Sequence, residues 1–288
     1  KNSLSQYYTS ASRVSLLKRL IDSKKIVRIL EAHNPLTGLI VEETSYKTTD
    51  NVKEFDGMWS SSLTDSASRG KPDNQSVDFS SRFLGLSDIL DVTKKPVLFD
   101  ADNGGRIEHI SYTVKTLERY GVSGLMIEDK VGLKKNSLFK DQAGVKLENI
   151  TTFCNKIKAA KKAALSKDFL IGARIESFIV GNGLSDAIKR AEAYSKAGAD
   201  LILIHSKKSK PSEIFAFAKK FSKNKYYKPM VAVPSTYSST TEIELIKNGF
   251  KIVIYANHLI RAAYPAMVNV AKNILKNDRS LEIEILNI

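Results

Sequence analysis

The chain reads Gly124-Leu125-Met126-Ile127-Glu128-Asp129-Lys130-Val131-Gly132-Leu133-Lys134-Lys135-Asn136-Ser137 in the stretch that decides its fold. Four apolar residues are followed at once by an acidic pair and then by a polar loop that contains glycine and lysine. This order is typical of α/β enzymes, which carry their chemistry at the carboxyl ends of buried parallel strands. A carboxylate at such an end can face a divalent cation, while lysine, amide and hydroxyl groups on the loop can close over an anion.

Seven further apolar runs alternate with helical patterns along the chain. Each run predicts a strand that is buried on both faces, as strands of parallel sheets are. The predicted strands are 26–30, 57–60, 96–99, 124–127, 169–173, 201–204, 230–233 and 252–254. The predicted helices are 10–22, 107–120, 147–164, 184–197, 211–221, 241–248 and 256–274.

Eight strands alternating with helices predict an α/β fold of the (β/α)8 TIM-type barrel class; a doubly wound open sheet is the alternative. We find no G-x-G-x-x-G after the first strand and no G-x-x-x-x-G-K-[ST], which disfavours dinucleotide and P-loop sites. No long linker divides the chain, so we expect one domain over residues 1–288, with an N-terminal helix within 1–25 and a C-terminal tail at 275–288. Residues 64–79 form the longest polar connection without a helical pattern, and such loops are usually functional or mobile.

The 288 residues are 42% hydrophobic and 26% charged, which is an ordinary globular composition. No apolar run reaches the roughly 18–20 residues that span a bilayer, and residues 1–8 contain no apolar signal core, so we expect a cytoplasmic protein without a membrane partner. The one cysteine, Cys154, fits a reducing compartment, and its helical surroundings favour a small buried residue over a nucleophile. The net charge of +14 comes from scattered lysines, which indicates a solvated basic surface that attracts a small anionic substrate and disfavours a nucleic-acid partner.

Polar residues directly after the predicted strands are the candidates for a functional site. Asp100 and Asp102 follow the third strand and Glu128 ends the fourth, and together they form a hard oxygen set suited to Mg²⁺. The alternative for Asp-x-Asp at a strand end is a helix N-cap or an ion pair with a lysine. Because Glu128 and its neighbours come only one strand later, the metal is the favoured interpretation.

Anion-binding groups are expected beside this metal. Arg174 lies inside an apolar run, where a guanidinium needs an anion. That anion is either Glu176 or another barrel carboxylate, or it is a carboxylate or phosphoryl group of a substrate. His205 ends the sixth predicted strand and is either a satisfied structural residue or a donor to a phosphoryl or enolate oxygen.

The second predicted strand ends in Trp59-Ser60-Ser61-Ser62-Leu63. The consecutive backbone N–H groups of Ser61, Ser62 and Leu63 can form an anion nest. Trp59, the only tryptophan, is either a pocket wall or a core residue. His33 is interpreted as structural.

Ordered blocks along most of the chain resemble the phosphoenolpyruvate mutases of the isocitrate lyase superfamily. The stretch 128–137 carries the signature E-D-K, five residues and then N-S. The other similar blocks are Glu31-Ala32-His33-Asn34, Trp59-Ser60-Ser61-Ser62-Leu63, Asp100-Ala101-Asp102, Ala173-Arg174-Ile175-Glu176, Ala191-Glu192-Ala193-Tyr194, Ala197-Gly198-Ala199-Asp200, His205-Ser206-Lys207-Lys208 and Tyr255-Ala256-Asn257-His258.

The resemblance implies a barrel whose last helix is exchanged with a neighbouring subunit in a dimer or tetramer. It also implies Mg²⁺ held by Asp100, with Asp102 and Glu128 acting mostly through bound water. Two substrate subsites and a gating loop are implied as well. Their implied residues are Ser61, the Ser62 and Leu63 amides and Arg174 for the pyruvyl part, Asn136, His205 and Arg174 for the phosphoryl group, and Asp73, Lys134, Asn136 and Ser137 for the gate.

The activity that the resemblance implies is Mg²⁺-dependent interconversion of phosphoenolpyruvate and 3-phosphonopyruvate, the first step of phosphonate biosynthesis, with a decarboxylase as downstream consumer. The alternatives are a phosphonopyruvate hydrolase, a carbon–carbon lyase acting on a 2-oxo acid, and a barrel that binds without turnover. Lyases of the superfamily carry a cysteine within K-[KR]-C-G-H, where Lys134-Lys135-Asn136-Ser137 stands here. A second departure is Asn103-Gly104-Gly105, where many members continue the D-A-D block with T-G-Y.

Overall fold

The computed structural model describes residues 9–49, 51–138 and 142–284. Through most of the chain a strand is followed by a helix. In chain order the elements are α1 (Ser10–Ser23), β1 (Val27–Glu31), α2 (Pro35–Glu43), β2 (Ser45–Lys47), β3 (Val52–Glu54), β4 (Gly57–Ser60), α3 (Ser62–Ala67), α4 (Phe79–Val92), β5 (Val97–Asp100), α5 (Ile107–Tyr120), β6 (Gly124–Glu128), α6 (Ile150–Ala163), β7 (Leu170–Ile175), α7 (Gly183–Ala197), β8 (Leu201–Ile204), α8 (Ser212–Phe221), β9 (Met230–Ala232), α9 (Glu242–Lys247), β10 (Phe250–Tyr255), α10 (His258–Asn277) and α11 (Leu281–Glu284).

Eight strands of the described residues close into a parallel barrel in the spatial order β1-β10-β9-β8-β7-β6-β5-β4. Closure is direct, because β1 pairs with β10 on one side and with β4 on the other. The predicted TIM-type barrel is therefore confirmed, and the alternative of an open sheet is wrong. Each predicted apolar run coincides with one of these strands to within about two residues at either end.

The strands are apolar on both faces because they separate two cores. Inside the barrel, Leu17 and Ile21 of α1 belong to the same cluster as Met126 of β6, so α1 covers the amino-terminal end of the barrel. Outside the barrel, a larger cluster that includes Phe153 and Phe217 fills the space between strands and helices. Since packing occupies the interior and the amino-terminal end, the carboxyl end is the face where polar residues gather.

Of the elements between β1 and β5, the sequence analysis predicts only β4 and misses α2, β2, β3, α3 and α4. α2 begins with a capping box between Asn34 and Thr37 and has Pro35 at its start, which are local helix signals. β2 and β3 form an antiparallel ribbon outside the barrel. The connection 64–79, expected without a helix, is partly helical, because α3 occupies Ser62–Ala67 and α4 begins at Phe79.

The ends of the chain are helical where the structure describes them. α1 lies within the segment 1–25, of which residues 1–8 fall outside the described residues. In the segment 275–288, α10 continues to Asn277 and α11 follows, while residues 285–288 again fall outside the description. No residue of α10 is buried. None of the helices in the described ranges combines the length and the apolar character needed to cross a bilayer.

One buried charge on α4 ties several strand ends together. Arg82 is 1% exposed, and its guanidinium carbon lies 4.1 Å from the centre of the Phe99 ring. The guanidinium donates to the carbonyls of Ser60 and Asp100 at 3.2 and 2.6 Å, and to Asp65 Oδ2 on α3 at 2.8 Å. Arg82 therefore fixes the ends of β4 and β5 and the first turn of α3 relative to one another.

Replacing Arg82 with Met is expected to lower the free energy of unfolding by about 3–5 kcal/mol, because the buried Asp65 carboxylate loses its cationic partner. Chemical denaturation followed by circular dichroism measures this change. Arg69→Met is the matched control: Arg69 is exposed and donates to the Asp65 carbonyl at 2.8 Å, so we expect a loss below about 1 kcal/mol. Equal losses in the two variants would contradict this role of Arg82.

Candidate active site

The carboxyl ends of the barrel strands bring all the predicted site residues into one region. A single cavity is lined by Trp59, Ser61, Leu63, Asp73, Asp100, Lys134, Asn136, Ser137, Arg174 and His205. Ser62, Asp102 and Glu128 each contact members of this set. Ser235 and Asn257, which follow β9 and β10, complete the wall and were not among the predicted site residues.

Lys134 lies among three carboxylates on the metal side of the cavity. Its Nζ is 2.5 Å from Asp102 Oδ1, 3.3 Å from Asp73 Oδ1 and 3.5 Å from Asp100 Oδ2, and it also contacts Ser62 Oγ. Burial alone would lower the pKa of Lys134, but Asp100 and Asp102 outweigh it and raise that pKa. Burial would likewise raise the pKa of Asp100, yet Lys134 and Arg174 hold it well below its usual range. The lysine is therefore a permanent cation in this site.

The same carboxylates suit a hard divalent cation. In the described part of the chain, no three His, Cys, Asp or Glu side chains are arranged around one point as metal ligands. The ammonium of Lys134 lies between the candidate ligands instead. Asp73 Oδ1 is buried and forms an ion pair with Lys134 but no hydrogen bond, so its capacity as an acceptor is not used. Three carboxylates around one ammonium leave an excess of negative charge, which fits the binding of Mg²⁺.

The start of α3 forms the side of the cavity where the anion nest was predicted. The Ser62 N–H lies 3.4 Å from Asp100 Oδ2, and Ser62 Oγ donates to the same oxygen at 2.8 Å. Ser62 thus positions Asp100, while Ser61 and Leu63 line the cavity. Trp59 belongs both to the cluster inside the barrel and to the cavity wall, so both interpretations of this residue hold.

Arg174 is paired with protein carboxylates and also lines the cavity. Its Nε contacts Glu176 Oε1, and its Nη2 lies 3.4 Å from Glu128 Oε2. Nη2 also donates to Ser137 Oγ at 2.9 Å and lies 3.0 Å from His205 Nδ1. The salt bridge to Glu176, one of the two predicted alternatives, is therefore present, and the cavity-facing side of the guanidinium is placed for an anion.

Burial and pairing give the remaining titratable groups different charges. Burial raises the pKa of Glu128 to about 7, against the opposing effects of Arg174 and Lys130. Burial would also raise the pKa of Glu176, but Arg174 and His205 outweigh it and keep that pKa well below its usual value. Burial and then Arg174 lower the pKa of His205, so its imidazole is neutral at pH 7. A neutral imidazole can donate a hydrogen bond to a substrate oxygen.

The loop that follows β6 is folded over the cavity and held by its own signature residues. Lys130 Nζ donates to Lys135 O and to Ser137 Oγ, both at 2.7 Å. Ser137 Oγ in turn donates to Glu176 Oε2 at 2.7 Å. Asn136 Oδ1 accepts the backbone N–H of Leu138 at 2.9 Å, and the residue lines the cavity. The E-D-K and N-S parts of the signature are thus joined through one lysine–serine contact.

Several residues that shape the site are absent from the sequence prediction. Lys130 and Glu176 could have been predicted as site residues, since both lie within motifs that the sequence analysis identified. Lys156 is one of the scattered lysines for which a solvated basic surface was expected, and for this residue that expectation is wrong: it is 7% exposed and its Nζ donates to Asn103 O at 2.6 Å. Asn103 Nδ2 donates to Gly132 O at 3.1 Å, so the segment that departs from the family pattern contacts the signature loop.

Comparison with known proteins gives consistent matches over nearly the whole chain. The family model described as phosphoenolpyruvate phosphomutase matches residues 17–275. The phosphoenolpyruvate phosphomutase of Tetrahymena pyriformis is 39% identical over 284 residues, which cover 98% of this chain and 90% of that protein. The crystal structure of phosphoenolpyruvate phosphomutase from Streptomyces platensis subsp. rosaceus matches with a TM-score of 0.84 and 35% identity, over 96% of this chain and 91% of that one. A phosphonopyruvate hydrolase in complex with oxalate and Mg²⁺ matches with a TM-score of 0.84 and 33% identity, over 95% and 90%.

Replacing Lys134 with Met is expected to lower stability in EDTA by about 3 kcal/mol, because the carboxylates around it lose their cation. Added MgCl2 should restore more stability to this variant than it adds to the unsubstituted protein, since the ion no longer competes with the ammonium. Melting temperatures measured with and without MgCl2 test both statements.

Lys146→Met is the matched control, because Lys146 is exposed at the far end of the same loop. Its melting temperature should shift with MgCl2 as much as that of the unsubstituted protein. If the Lys134 variant also shows this unchanged shift, the ammonium and the metal ion do not share the space.

Proposed function

The chain belongs to the phosphoenolpyruvate phosphomutase family, and we propose that it is an isomerase that interconverts phosphoenolpyruvate and 3-phosphonopyruvate. The observation that carries this proposal is the signature loop folded over the cavity. The loop presents Asn136 and Ser137 at the cavity that Arg174 and His205 also line. A cavity lined by cationic and hydrogen-bonding groups and covered by a loop suits a small anion that must react away from water.

The two parts of the substrate would be held by two groups of residues, which share Arg174. We assign the pyruvyl part to Ser61, the amides of Ser62 and Leu63, and Arg174, because these groups surround the start of α3 and the end of β7. The phosphoryl group would face Asn136, His205 and Arg174. The neutral imidazole of His205 would donate to a phosphoryl oxygen without adding a charge that the site must balance.

Mg²⁺ is the proposed cofactor, and Asp100, Asp102 and Glu128 would hold it, Asp102 and Glu128 mostly through water. When bound, the ion would neutralise negative charge on the substrate oxygens. The complex of the similar hydrolase with Mg²⁺ supports this choice of metal. Asp73 and Lys134 form an ion pair beside the loop, so the two side chains would move together when the ion binds.

The proposed reaction moves the phosphoryl group within one substrate molecule. The bond between carbon and phosphorus breaks, a metaphosphate-like group passes across the cavity, and the enolate oxygen of the same pyruvate captures it. This loose transition state needs positioning and charge stabilisation more than covalent catalysis. Arg174 would hold the enolate carboxylate in place, while Asn136 and His205 would guide the migrating group. The loop must exclude water, because capture by water gives inorganic phosphate.

Two alternative activities are less well supported. Phosphonopyruvate hydrolase is a real competitor, since the similar structure with that activity has the same fold. The contacts of Ser137 with Lys130 and Glu176 favour isomerisation, because they hold the loop that carries Asn136 closed. A carbon–carbon lyase of this superfamily needs a thiol in the loop, whereas the one cysteine, Cys154, lies on α6.

The chemistry of the reaction and the composition of the chain support proposals about the pathway and the compartment. The carbon–phosphorus product is the less stable side of the equilibrium, so we propose that a decarboxylase consumes phosphonopyruvate downstream in phosphonate biosynthesis. We place the enzyme in the cytoplasm, because a single half-buried cysteine fits a reducing compartment. Residues 1–288 are proposed to act as one domain.

An apolar surface beside β1 and β10 supports the proposal of an oligomer. A groove there is lined by apolar side chains that include Leu30, Tyr46, Phe55 and Ile243. In a barrel the helix after the last strand would cover this groove, but no residue of α10 is buried. α10 carries its own apolar stripe at helical spacing, formed by Tyr264, Met267, Val270 and Ile274. We propose that α10 of a second copy covers the groove, which gives a dimer or a tetramer of such dimers.

We expect ³¹P NMR to show the phosphonopyruvate signal converting to that of phosphoenolpyruvate when the protein and MgCl2 are added. Inorganic phosphate as the main product would mean that water is the acceptor. Asn136→Ala should lower kcat by about 10²–10³-fold, because the migrating group loses a donor in the transition state.

Asn224→Ala is the control for this substitution. Asn224 follows α8 and donates to Glu192 at 3.2 Å, away from the cavity, so turnover should not change. Normal turnover by the Asn136 variant would refute the role of the loop asparagine.

The oligomer is tested by replacing Met267 and Val270 together with Glu. Two charges on the apolar stripe should dissociate the assembly to monomers, which light scattering after size-exclusion chromatography measures directly. Lys272→Glu reverses a charge on the polar side of α10 and should leave the assembly intact. A monomeric unsubstituted protein would refute the helix exchange.

A further inference from the structure

The acidic residue after Glu128 lies beneath the site, away from the cavity. Asp129 is 0% exposed, and its Oδ1 accepts the backbone N–H of Glu176 at 3.0 Å. Its Oδ2 accepts the Tyr194 hydroxyl at 2.8 Å and Arg190 Nη1 at 3.2 Å, both from α7. This one carboxylate therefore connects the end of β6, the end of β7 and a helix on the outside of the barrel. We call Asp129, Arg190 and Tyr194 the α7 clamp.

The signature loop begins and ends on a short antiparallel stem. Three backbone contacts define the stem: a bridge between Lys130 and Leu147, Val131 N to Lys146 O at 2.9 Å, and Glu148 N to Asp129 O at 2.7 Å. The loop between these contacts includes Asn136 and Ser137. The separation of the two sides of the stem therefore decides where these two residues lie over the cavity.

Arg190 holds both sides of this stem. Its Nη1 donates to Glu148 O at 2.9 Å on one side and contacts the Asp129 carboxylate on the other. Its Nε donates to Asp186 Oδ2 at 2.9 Å, which orients the guanidinium along α7. A planar guanidinium that meets acceptors from two directions fixes their geometry better than an ammonium can.

Tyr194 completes the α7 clamp and gives a role to a sequence block that the reaction itself does not use. The block is Ala191-Glu192-Ala193-Tyr194. The Tyr194 hydroxyl accepts from Arg190 Nη1 at 2.8 Å while it donates to Asp129, so the three groups form a closed set. Its ring packs on Phe153 of α6 with 4.6 Å between centroids, which restricts the position of the side chain.

The α7 clamp also reaches the groups that line the cavity. Asp129 holds the backbone of Glu176, and the Glu176 carboxylate contacts Arg174, Ser137 and His205. A shift of Asp129 would therefore move the base of the loop and the carboxylate that receives Ser137 at the same time. No member of the clamp lines the cavity.

We propose that Arg190 and Tyr194 are positioning residues that hold both ends of the signature loop, and that through Asp129 they keep Asn136 and Ser137 seated over the reacting phosphoryl group. The inference rests on the proposed function for its catalytic consequence, but its structural part concerns the loop alone. Loss of the clamp should let water reach the migrating group, since the loop no longer closes at one fixed position.

The test uses Arg190→Gln, Arg190→Lys and Tyr194→Phe in the full chain. With phosphonopyruvate and MgCl2, Arg190→Gln should lower kcat by about 10–100-fold with a smaller change in KM, because misplacement by an ångström affects the transition state most. The fraction of product that appears as pyruvate and inorganic phosphate should rise in ³¹P NMR. Arg190→Lys should recover only part of kcat. The kcat of Tyr194→Phe should lie between that of Arg190→Lys and that of the unsubstituted protein.

Limited trypsin digestion is the second measurement, and it does not depend on activity. Cleavage after Lys135 and Lys146, identified by mass spectrometry, should be about 10-fold faster in Arg190→Gln while the melting temperature stays well above the digestion temperature. Glu192→Gln is the matched control: it removes the exposed pair with Lys196 on the same helix and should change neither measurement.

The outcomes separate this inference from the proposed function. If the unsubstituted protein does not isomerise phosphonopyruvate, the proposed function fails, and loop cleavage alone decides the clamp. If Arg190→Gln does not fold, Tyr194→Phe decides, because it keeps the ring packing and removes only the hydroxyl. Unchanged loop cleavage together with unchanged kcat and product ratio in folded variants overturns the inference.

Discussion

Pairing between charged groups that are almost fully buried is the constraint on which this structure depends. The carboxyl end of the barrel holds carboxylates that are almost fully buried, and each would cost several kcal/mol or take up a proton if it had no partner. Lys134 balances Asp100 and Asp102, while Arg174 balances Glu128 and Glu176. Because none of these groups can move alone without leaving a buried charge unpaired, the strand ends and the loop are positioned together.

The cations that satisfy this constraint come largely from elements outside the sheet. Arg82 reaches in from α4, Arg190 from α7 and Lys134 from the signature loop. Apolar packing is sufficient to form a barrel, but it does not distinguish one arrangement of the carboxyl ends from another. The charged contacts do distinguish these arrangements, since each contact requires a particular direction and distance between its two groups. The result is a set of dipoles and charges fixed before any substrate arrives, which is what stabilisation of a developing charge requires.

The sequence predicts what local pattern determines. Buried parallel strands are apolar at nearly every position, so short runs are enough to predict the barrel and to place Asp100 and Glu128 at strand ends. A contact between residues that are far apart in the chain produces no such local pattern. Asp129 and Tyr194 are 65 residues apart, and on α7 the tyrosine is an ordinary residue of an amphipathic helix. Arg82 is missed because α4 itself is not predicted and because an arginine is usually exposed to solvent, while its acceptors Ser60, Asp65 and Asp100 lie on other elements.

Isomerisation and hydrolysis of phosphonopyruvate differ only in which oxygen captures the phosphoryl group. Whether a protein of this fold catalyses one or the other therefore depends on whether water can reach that group. Substrate-binding groups alone cannot determine which reaction occurs, because both reactions need the pyruvyl and phosphoryl parts bound in the same way. The contacts that fix the loop can determine it, because the loop controls the access of water. Ser137 Oγ is placed between Lys130, Arg174 and Glu176, and all of its hydrogen-bonding capacity is used within the protein. A hydroxyl whose hydrogen bonds are all made within the protein does not hold an additional water molecule beside the cavity, which favours capture of the migrating group by the enolate.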